Sequence, residues 1–389
     1  MDTNSGSVRT ILHVIDALNI GGAQALLELL AAKTPRSRYR TLVCVLQPDT
    51  AVLSRIEAAG VKVFCLNRRR PGIVRPIDFI SYFYLNIRDI TRICYEYSVD
   101  VIHCHLSDAE FIGILAGCCC HVERIVSTVH YPALLPERKS GDIRNYLRIR
   151  TTRWLYRRTD TVIAVSDDIA EKLHTVFGLS PLSQIRVIIN GIDVEAIYHT
   201  QPNADLLKSL YATSGERLVT SVGRLMPPKG HRYLIEAMPA IRRQYPNARL
   251  ILAGDGDLRR PLEARARELG VRDIISFLGS RSDIADILAV TDIFVLPSVS
   301  EGTSLALLEA MAAAKPIVAT DIPGNSAVLR HATNCLLVPP ADPDKLADAI
   351  AQLLKDPPTA AQYAQNAYQD VCRRYHIDQT ISQLMEIWG

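Results

Sequence analysis

At 389 residues, with 48% hydrophobic and 22% charged side chains, the chain has enough apolar material for two or three cores and is not a disordered polymer. Its 44 basic and 41 acidic residues leave a net charge of only +3, so no nucleic-acid partner is expected. No apolar run reaches the roughly 18 residues a spanning helix needs.

The chain opens with an apolar strand, Arg9 to Ile15, which runs into Gly21 and Gly22 and then a helix reading A-L-L-E-L-L-A-A. The two glycines let backbone approach a ligand at a helix N-terminus. The loop is not G-x-G-x-x-G, which weakens a dinucleotide reading. Strands follow at Thr41–Leu46 and Val61–Leu66, with a helix between them ending at Gly60. Arg68, Arg69, Arg70 and Arg75 then precede a helix carrying Phe79, Tyr82, Phe83 and Tyr84. Asp100–Cys104 is a strand, and Arg124–Val129 is another that delivers His130 at its carboxyl end, where open α/β sheets bind ligands. Eight basic residues, Arg138, Lys139, Arg144, Arg148, Arg150, Arg153, Arg157 and Arg158, then face a single Asp142. If that stretch is helical, Arg144, Arg148 and Arg158 share roughly one face, with Leu147 and Trp154 as apolar area. Thr161–Val165 is a strand with Ser166 as a cap, and residues 194–216 read as a linker.

The nine cysteines include the adjacent Cys118, Cys119 and Cys120, which cannot readily bridge one another. Without a leader-like N-terminus they read as reduced cytosolic thiols. His103-Cys104-His105 suggests a metal, but no partner pair at ligand spacing follows, so none is expected.

The second half repeats the opening theme. Strand Leu218–Val222 leads to Gly223, Arg224 and then Lys229 on one loop, two cations placed to neutralise a diphosphate. Leu250–Ala253 leads into Gly254-Asp255-Gly256-Asp257, which contains a D-x-D sequence. Asp292–Leu296 is a buried strand, followed by a loop and the apolar helix L-A-L-L-E-A-M-A-A-A, capped by Thr303 or Ser304 and ended by Lys315 and Pro316. Its free N–H groups suit a phosphate. Glu301 and Glu309 bracket this N-terminus; like charge would repel a phosphate, so they are read as acceptors for sugar hydroxyls. Phosphate donors beside hydroxyl acceptors describe a nucleotide-sugar site.

The segment E-G-x-x-L-x-L-L-E-A-M-A, from Glu301 through Glu309, resembles the E-x7-E segment of retaining glycosyltransferases of family 4, which have the GT-B fold. G-R-L-x-x-x-K-G resembles that family's diphosphate loop, A-G-D-G-x-L-R its loop near the nucleotide, and the Gly21–Gly22 loop its glycine loop. Gln24 stands where the family often has Glu, Tyr131 where Asp or Gly is common, and Ala314 where a C-cap glycine is usual.

The resemblance implies an α/β protein of two Rossmann-like domains facing each other across a cleft. Residues 1–198 would bind the acceptor, 199–365 the nucleotide sugar, and a helix at 366–389 would cross back to the first domain. It implies catalytic roles for His130, Arg224, Lys229 and Glu301. Donor binding would fall to Gly21, Gly22, Gly223, Gly256, Gly302, Thr303, Ser304, Leu305 and Glu309, with the last accepting ribose hydroxyls. The implied activity is retaining transfer of a hexosyl or N-acetylhexosaminyl group from a nucleotide-diphosphate sugar, UDP rather than GDP. The acceptor would be a lipid-linked or polysaccharide-precursor glycan. No metal or cofactor is expected, because Arg224 and Lys229 replace one. The basic stretch adds an expected peripheral contact with the anionic cytoplasmic face of a membrane. A nucleotide-sugar epimerase on the same fold and a non-catalytic sugar-nucleotide binder are the other readings.

Overall fold

The computed structural model describes residues 8–72, 75–130, 143–180, 184–203, 206–207 and 215–389. The chain divides into two compact units: one holds the chain up to Ile189 together with Thr380–Gly389, the other Asn190–Gln379. The return to the first unit therefore starts at Thr380, within the last helix, Ile377–Trp388.

The first unit is a seven-stranded parallel sheet of β1 (Arg9–Ile15), β2 (Tyr39–Val45), β3 (Lys62–Cys65), β4 (Val101–His105), β5 (Arg124–Val129), β6 (Thr161–Ala164) and β7 (Ile185–Val187). Their order is β3-β2-β1-β4-β5-β6-β7. Strands covered on both faces need continuous apolar runs, and β1 and β4 are buried throughout but for Arg9. One layer of core packs Leu12, Val14, Ile102, Cys104 and Ile112; the other packs Ile15, Leu27, Val43 and Ile56. All nine cysteines are free thiols.

The second unit is a six-stranded parallel sheet of β8 (Arg217–Val222), β9 (Ala248–Ala253), β10 (Ile275–Gly279), β11 (Ile293–Leu296), β12 (Ile317–Thr320) and β13 (Leu336–Val338), in the order β10-β9-β8-β11-β12-β13. Each sheet thus reverses its strand order once, between β1 and β4 in one unit and between β8 and β11 in the other. There the loops leaving the two strands diverge to opposite faces and open a crevice at their carboxyl ends.

Several local expectations change. Part of the expected linker is the helix Val194–Tyr198, N-capped by Asp193, whose side chain accepts from Ala196 N–H at 3.3 Å. The helix after β11 runs Leu305–Ala312, and its N-cap Ser304 makes no side-chain capping bond. That helix is not ended by Lys315 and Pro316 themselves. Ala314 takes a left-handed φ of +48°, and Ala314 and Lys315 N–H bond back to Met311 and Ala310. This is the turn glycine normally makes at no cost; a Cβ there costs about 1–2 kcal/mol. The basic helix spans Ile143–Tyr156, so Arg158 lies beyond its end, with its guanidinium 3.6 Å from the Trp154 ring centre. Arg138, Lys139 and Asp142, like Tyr131, lie outside the described residues.

Candidate active site

In the second unit the crevice residues come from three loops that brace one another. After β8, Gly223 N–H donates to Ala253 carbonyl, and Leu225 N–H donates to Asp255 carbonyl at 2.9 Å, joining the β8 and β9 loops. Val299 and Ser300 N–H both donate to Pro228 carbonyl, at 2.8 and 3.3 Å, joining the β8 and β11 loops. Gly230 makes this second junction possible. Its φ is +66°, and a Cβ would sit 1.9 Å from Pro297 carbonyl oxygen, so any side chain would prise the loops apart. Gly256 serves the first junction, since a Cβ there would meet Leu225 carbonyl at 2.6 Å.

This bracing sets the charges. Lys229 Nζ reaches both oxygens of Glu301, at 2.7 and 2.5 Å, and Ser298 Oγ donates to Glu301 Oε2 at 3.1 Å. The pair is largely buried, with side-chain exposures of 15% and 7%. The sequence reading assigned these two residues separate tasks; the structure makes them one unit. Arg224 is exposed and has no acidic partner among the described residues, so it is the available cation of the loop. Beyond the loop, His231 is buried and held neutral: burial first, then the Lys229 charge, pushes it down to about 3.

The helix Leu305–Ala312 begins at the carboxyl edge of β11, behind buried Gly302, Thr303 and Ser304. With no capping hydroxyl, the N–H groups of Leu305, Ala306 and Leu307 have no intrahelical acceptor and present an anion site. Glu309 follows one turn on. Its carboxyl has no hydrogen bond or cation among the described residues, and burial pushes it up to about 7. A carboxyl without a partner among the described residues, one turn from an uncapped helix start, is a candidate ligand acceptor. The Asp255 carboxyl of the D-x-D sequence is engaged within the loop: it accepts from Gly256 N–H at 2.8 Å and pairs with Arg259 at 3.3 Å.

In the first unit, Gly21 N-caps the helix Gly22–Lys33 in extended conformation, so it needs no special φ. What fills the turn is Gln24, buried, its amide donating to Ala17 carbonyl at 3.0 Å. Gln24 therefore pins the loop. His130 lies at the end of β5, 3.2 Å from Nδ1 of buried His105, which in turn meets His13 at 3.1 Å. His13, His103 and His105 offer nitrogens within 4.8 Å of one another. Sequence spacing hid this, because His13 lies on β1, about ninety residues upstream. The period-two signal H-x-H was there, since alternate residues of a strand share a face.

Sequence comparison matches the model for glycosyl transferases group 1 to residues 205–370, and that for glycosyltransferase family 4 to residues 20–196. An uncharacterized glycosyltransferase of Methanocaldococcus jannaschii is 30% identical over 303 residues, 74% of this chain and 75% of that protein. The UDP-Gal:α-D-GlcNAc-diphosphoundecaprenol α-1,3-galactosyltransferase of Escherichia coli is 28% identical over 292 residues, 74% of each chain. The crystal structure of Anabaena HepE in complex with UDP-glucose superposes with a TM-score of 0.80 at 25% identity, covering 97% of this chain and 98% of that one. Two parallel-sheet α/β units of this order are the GT-B fold, and the matching family models are those of glycosyltransferases. The chain belongs to glycosyltransferase family 4.

The Glu309 carboxyl yields a signed prediction. Its folded pKa is raised, so it adds stability below the ordinary carboxyl range and loses that stability as pH rises through about 7. Glu309→Gln removes the burden. Thermal unfolding of the unliganded protein at pH 8 should show the variant stabilised, by on the order of 1–2 kcal/mol once partial solvent access is allowed for, with the gap closing toward pH 4.5. Equal pH dependence for both proteins would show that the carboxyl is solvated.

Proposed function

We propose that this glycosyltransferase moves a hexosyl or N-acetylhexosaminyl group from a UDP-sugar to a lipid-linked or polysaccharide-precursor glycan, with retention of anomeric configuration. One observation carries the reading. Arg224, without an acidic partner among the described residues, follows β8, and the uncapped start of the helix that carries Glu309 follows β11, the two strands at the order reversal of the second unit. The diphosphate is assigned to Arg224 and the N–H groups from Gly302 to Leu305, and the ribose hydroxyls to Glu309. Lys229 and Glu301 act together at the leaving phosphate and the sugar. Gly223 lines the same loop, and Gly256 keeps it in place. The family resemblance further assigns His130 to the sugar and Gly21 and Gly22 to the phosphates.

UDP is favoured over GDP by the E. coli relative, named for UDP-Gal, and by the UDP-glucose complex of HepE. That relative's diphosphoundecaprenol acceptor favours a lipid-linked one here. The matched relatives are named as transferases, which favours transfer over epimerisation. Retention is what the family resemblance implies, and the engagement of the two carboxylates supports it. Glu301 is bound to Lys229 and Glu309 is assigned to ribose, so the leaving phosphate is left to take the acceptor proton. No metal requirement is expected, because Arg224 and the N–H groups of the helix start supply positive charge where negative charge develops.

Turnover tests these roles together. Arg224→Ala or Lys229→Ala should lower UDP release from UDP-sugars by about 10²-fold, the usual value of one charge-stabilising group. Wild-type turnover should survive EDTA. Unchanged kinetics in both variants would remove the diphosphate assignment, and loss with EDTA restored by Mn²⁺ would return the chemistry to a metal.

No helix among the described residues is long and apolar enough to cross a membrane. We further propose peripheral binding to the anionic cytoplasmic leaflet through the helix Ile143–Tyr156. Arg148, Arg150, Arg153, Arg157 and Arg158 are exposed there beside Tyr146, Leu147 and Trp154, which are 53%, 55% and 45% exposed. Each arginine near such a surface is worth about 1 kcal/mol. Flotation should require anionic vesicles, fall steeply with salt, and drop when Arg150, Arg153 and Arg157 become Gln. Equal flotation on neutral vesicles, or none at low salt, would leave only a solvated basic face.

A further inference from the structure

One face of the unit-1 sheet carries a ladder of imidazoles. His13 on β1 lies in register with His103 on β4, and His105, two residues on, shares that face. His130 extends the same face of β5, two residues beyond Thr128. The rings are linked: His13 Nδ1 to His105 Nε2 at 3.1 Å, and His105 Nδ1 to His130 Nε2 at 3.2 Å. His103 stands apart from this chain. Trp388 Nε1–H donates to its Nδ1 at 3.3 Å, and its Nε2–H then donates to Thr128 Oγ1 at 2.7 Å. Both its nitrogens are spent, which argues against a metal in the trio.

All four rings are neutral at pH 7, because burial pushes His13 down to about 3, His130 to about 4, and His103 and His105 well below their ordinary value. A neutral imidazole carries one N–H, so the chain has two arrangements. In one, His13 Nδ1–H donates to His105, and His105 Nδ1–H donates to His130. In the other, every bond runs the opposite way and His13 Nε2 carries the last proton. His13 Nε2 is fully buried and has no partner among the described residues. A buried N–H without an acceptor is the rarest kind of orphan, and a bare lone pair is the lesser loss. The first arrangement wins.

We propose that His105, seated on His13, is a positioning residue for His130: it holds that ring in the tautomer whose Nδ1–H is free to donate to a hydroxyl oxygen of the transferred sugar. This rests on the reading that His130 serves the sugar. It makes His130 a donor that fixes the sugar, and it excludes His130 Nδ1 as a general base.

Tautomers are read directly from long-range ¹H–¹⁵N correlations of the whole protein carrying ¹⁵N-histidine, with His130→Gln supplying the assignment. Wild type should show His130 protonated at Nδ1. His105→Asn, whose amide keeps a donor near the lost Nδ1, should preserve that state, and His105→Asp, whose carboxylate can only accept, should shift His130 toward Nε2–H. UDP release from mixed UDP-glucose, UDP-galactose and UDP-N-acetylglucosamine gives the functional side. His105→Asp should lower kcat about 10-fold, as loss of a supporting partner of a functional histidine does, with KM little changed, and should cost nothing more in a His130→Gln background. If His130→Gln alone leaves UDP release unchanged, the placement of His130 at the sugar fails. An Nε2–H His130 in wild type, a tautomer indifferent to His105→Asp, or a stoichiometric metal in the purified protein overturns the positioning role whatever the kinetics.

Discussion

The second unit depends on the junction between the loops that leave β8 and β11. Two backbone bonds to Pro228 carbonyl, the close seat of Pro297 on Gly230, and the Lys229–Glu301 pair hold those loops together at the strand-order reversal. A buried ion pair adds little net stability relative to an apolar pair, but removing one partner strands the other charge and is costly. Its value here is positional. Because Glu301 absorbs the Lys229 charge, Arg224 is the loop cation left without an acidic partner among the described residues. A capping hydroxyl at Ser304 would have consumed one of the N–H groups a phosphate needs.

The same economy explains two costs. Glu309 has no partner among the described residues, and its raised pKa is expected to cost stability in the unliganded fold above neutral pH. His13 leaves a buried nitrogen without a partner among those residues. Orphaned polar groups of this kind are expected where a site is prepared for a ligand or holds a ring in one state. By contrast, the left-handed Ala314 has no such role; it ends a helix where glycine would do so without strain.

Much of this was legible in the sequence because parallel strands buried on both faces must be continuous apolar runs. β1 and β5 fall at the bounds read from those runs, Arg9–Ile15 and Arg124–Val129. The spacing of Glu301 and Glu309 around a helix start was equally readable, since it needs only local geometry. What could not be read were contacts made by folding. Lys229 meets Glu301 across 72 positions, and His13 meets His105 across 92. Neither pair has a local pattern, and strand register alone brings the histidines together. Helix ends also escaped, because the Schellman-type turn at Ala314 is set by backbone bonds that lysine and proline do not announce.

The assignment of the nucleotide to the second unit is tested most directly by a crystal structure of the protein with UDP. The account predicts ribose hydroxyls on the Glu309 carboxylate, with the diphosphate against Arg224 and the N–H groups at the start of the helix Leu305–Ala312. A diphosphate bound instead at the Gly21–Gly22 turn of the first unit, with Glu309 untouched, would contradict it.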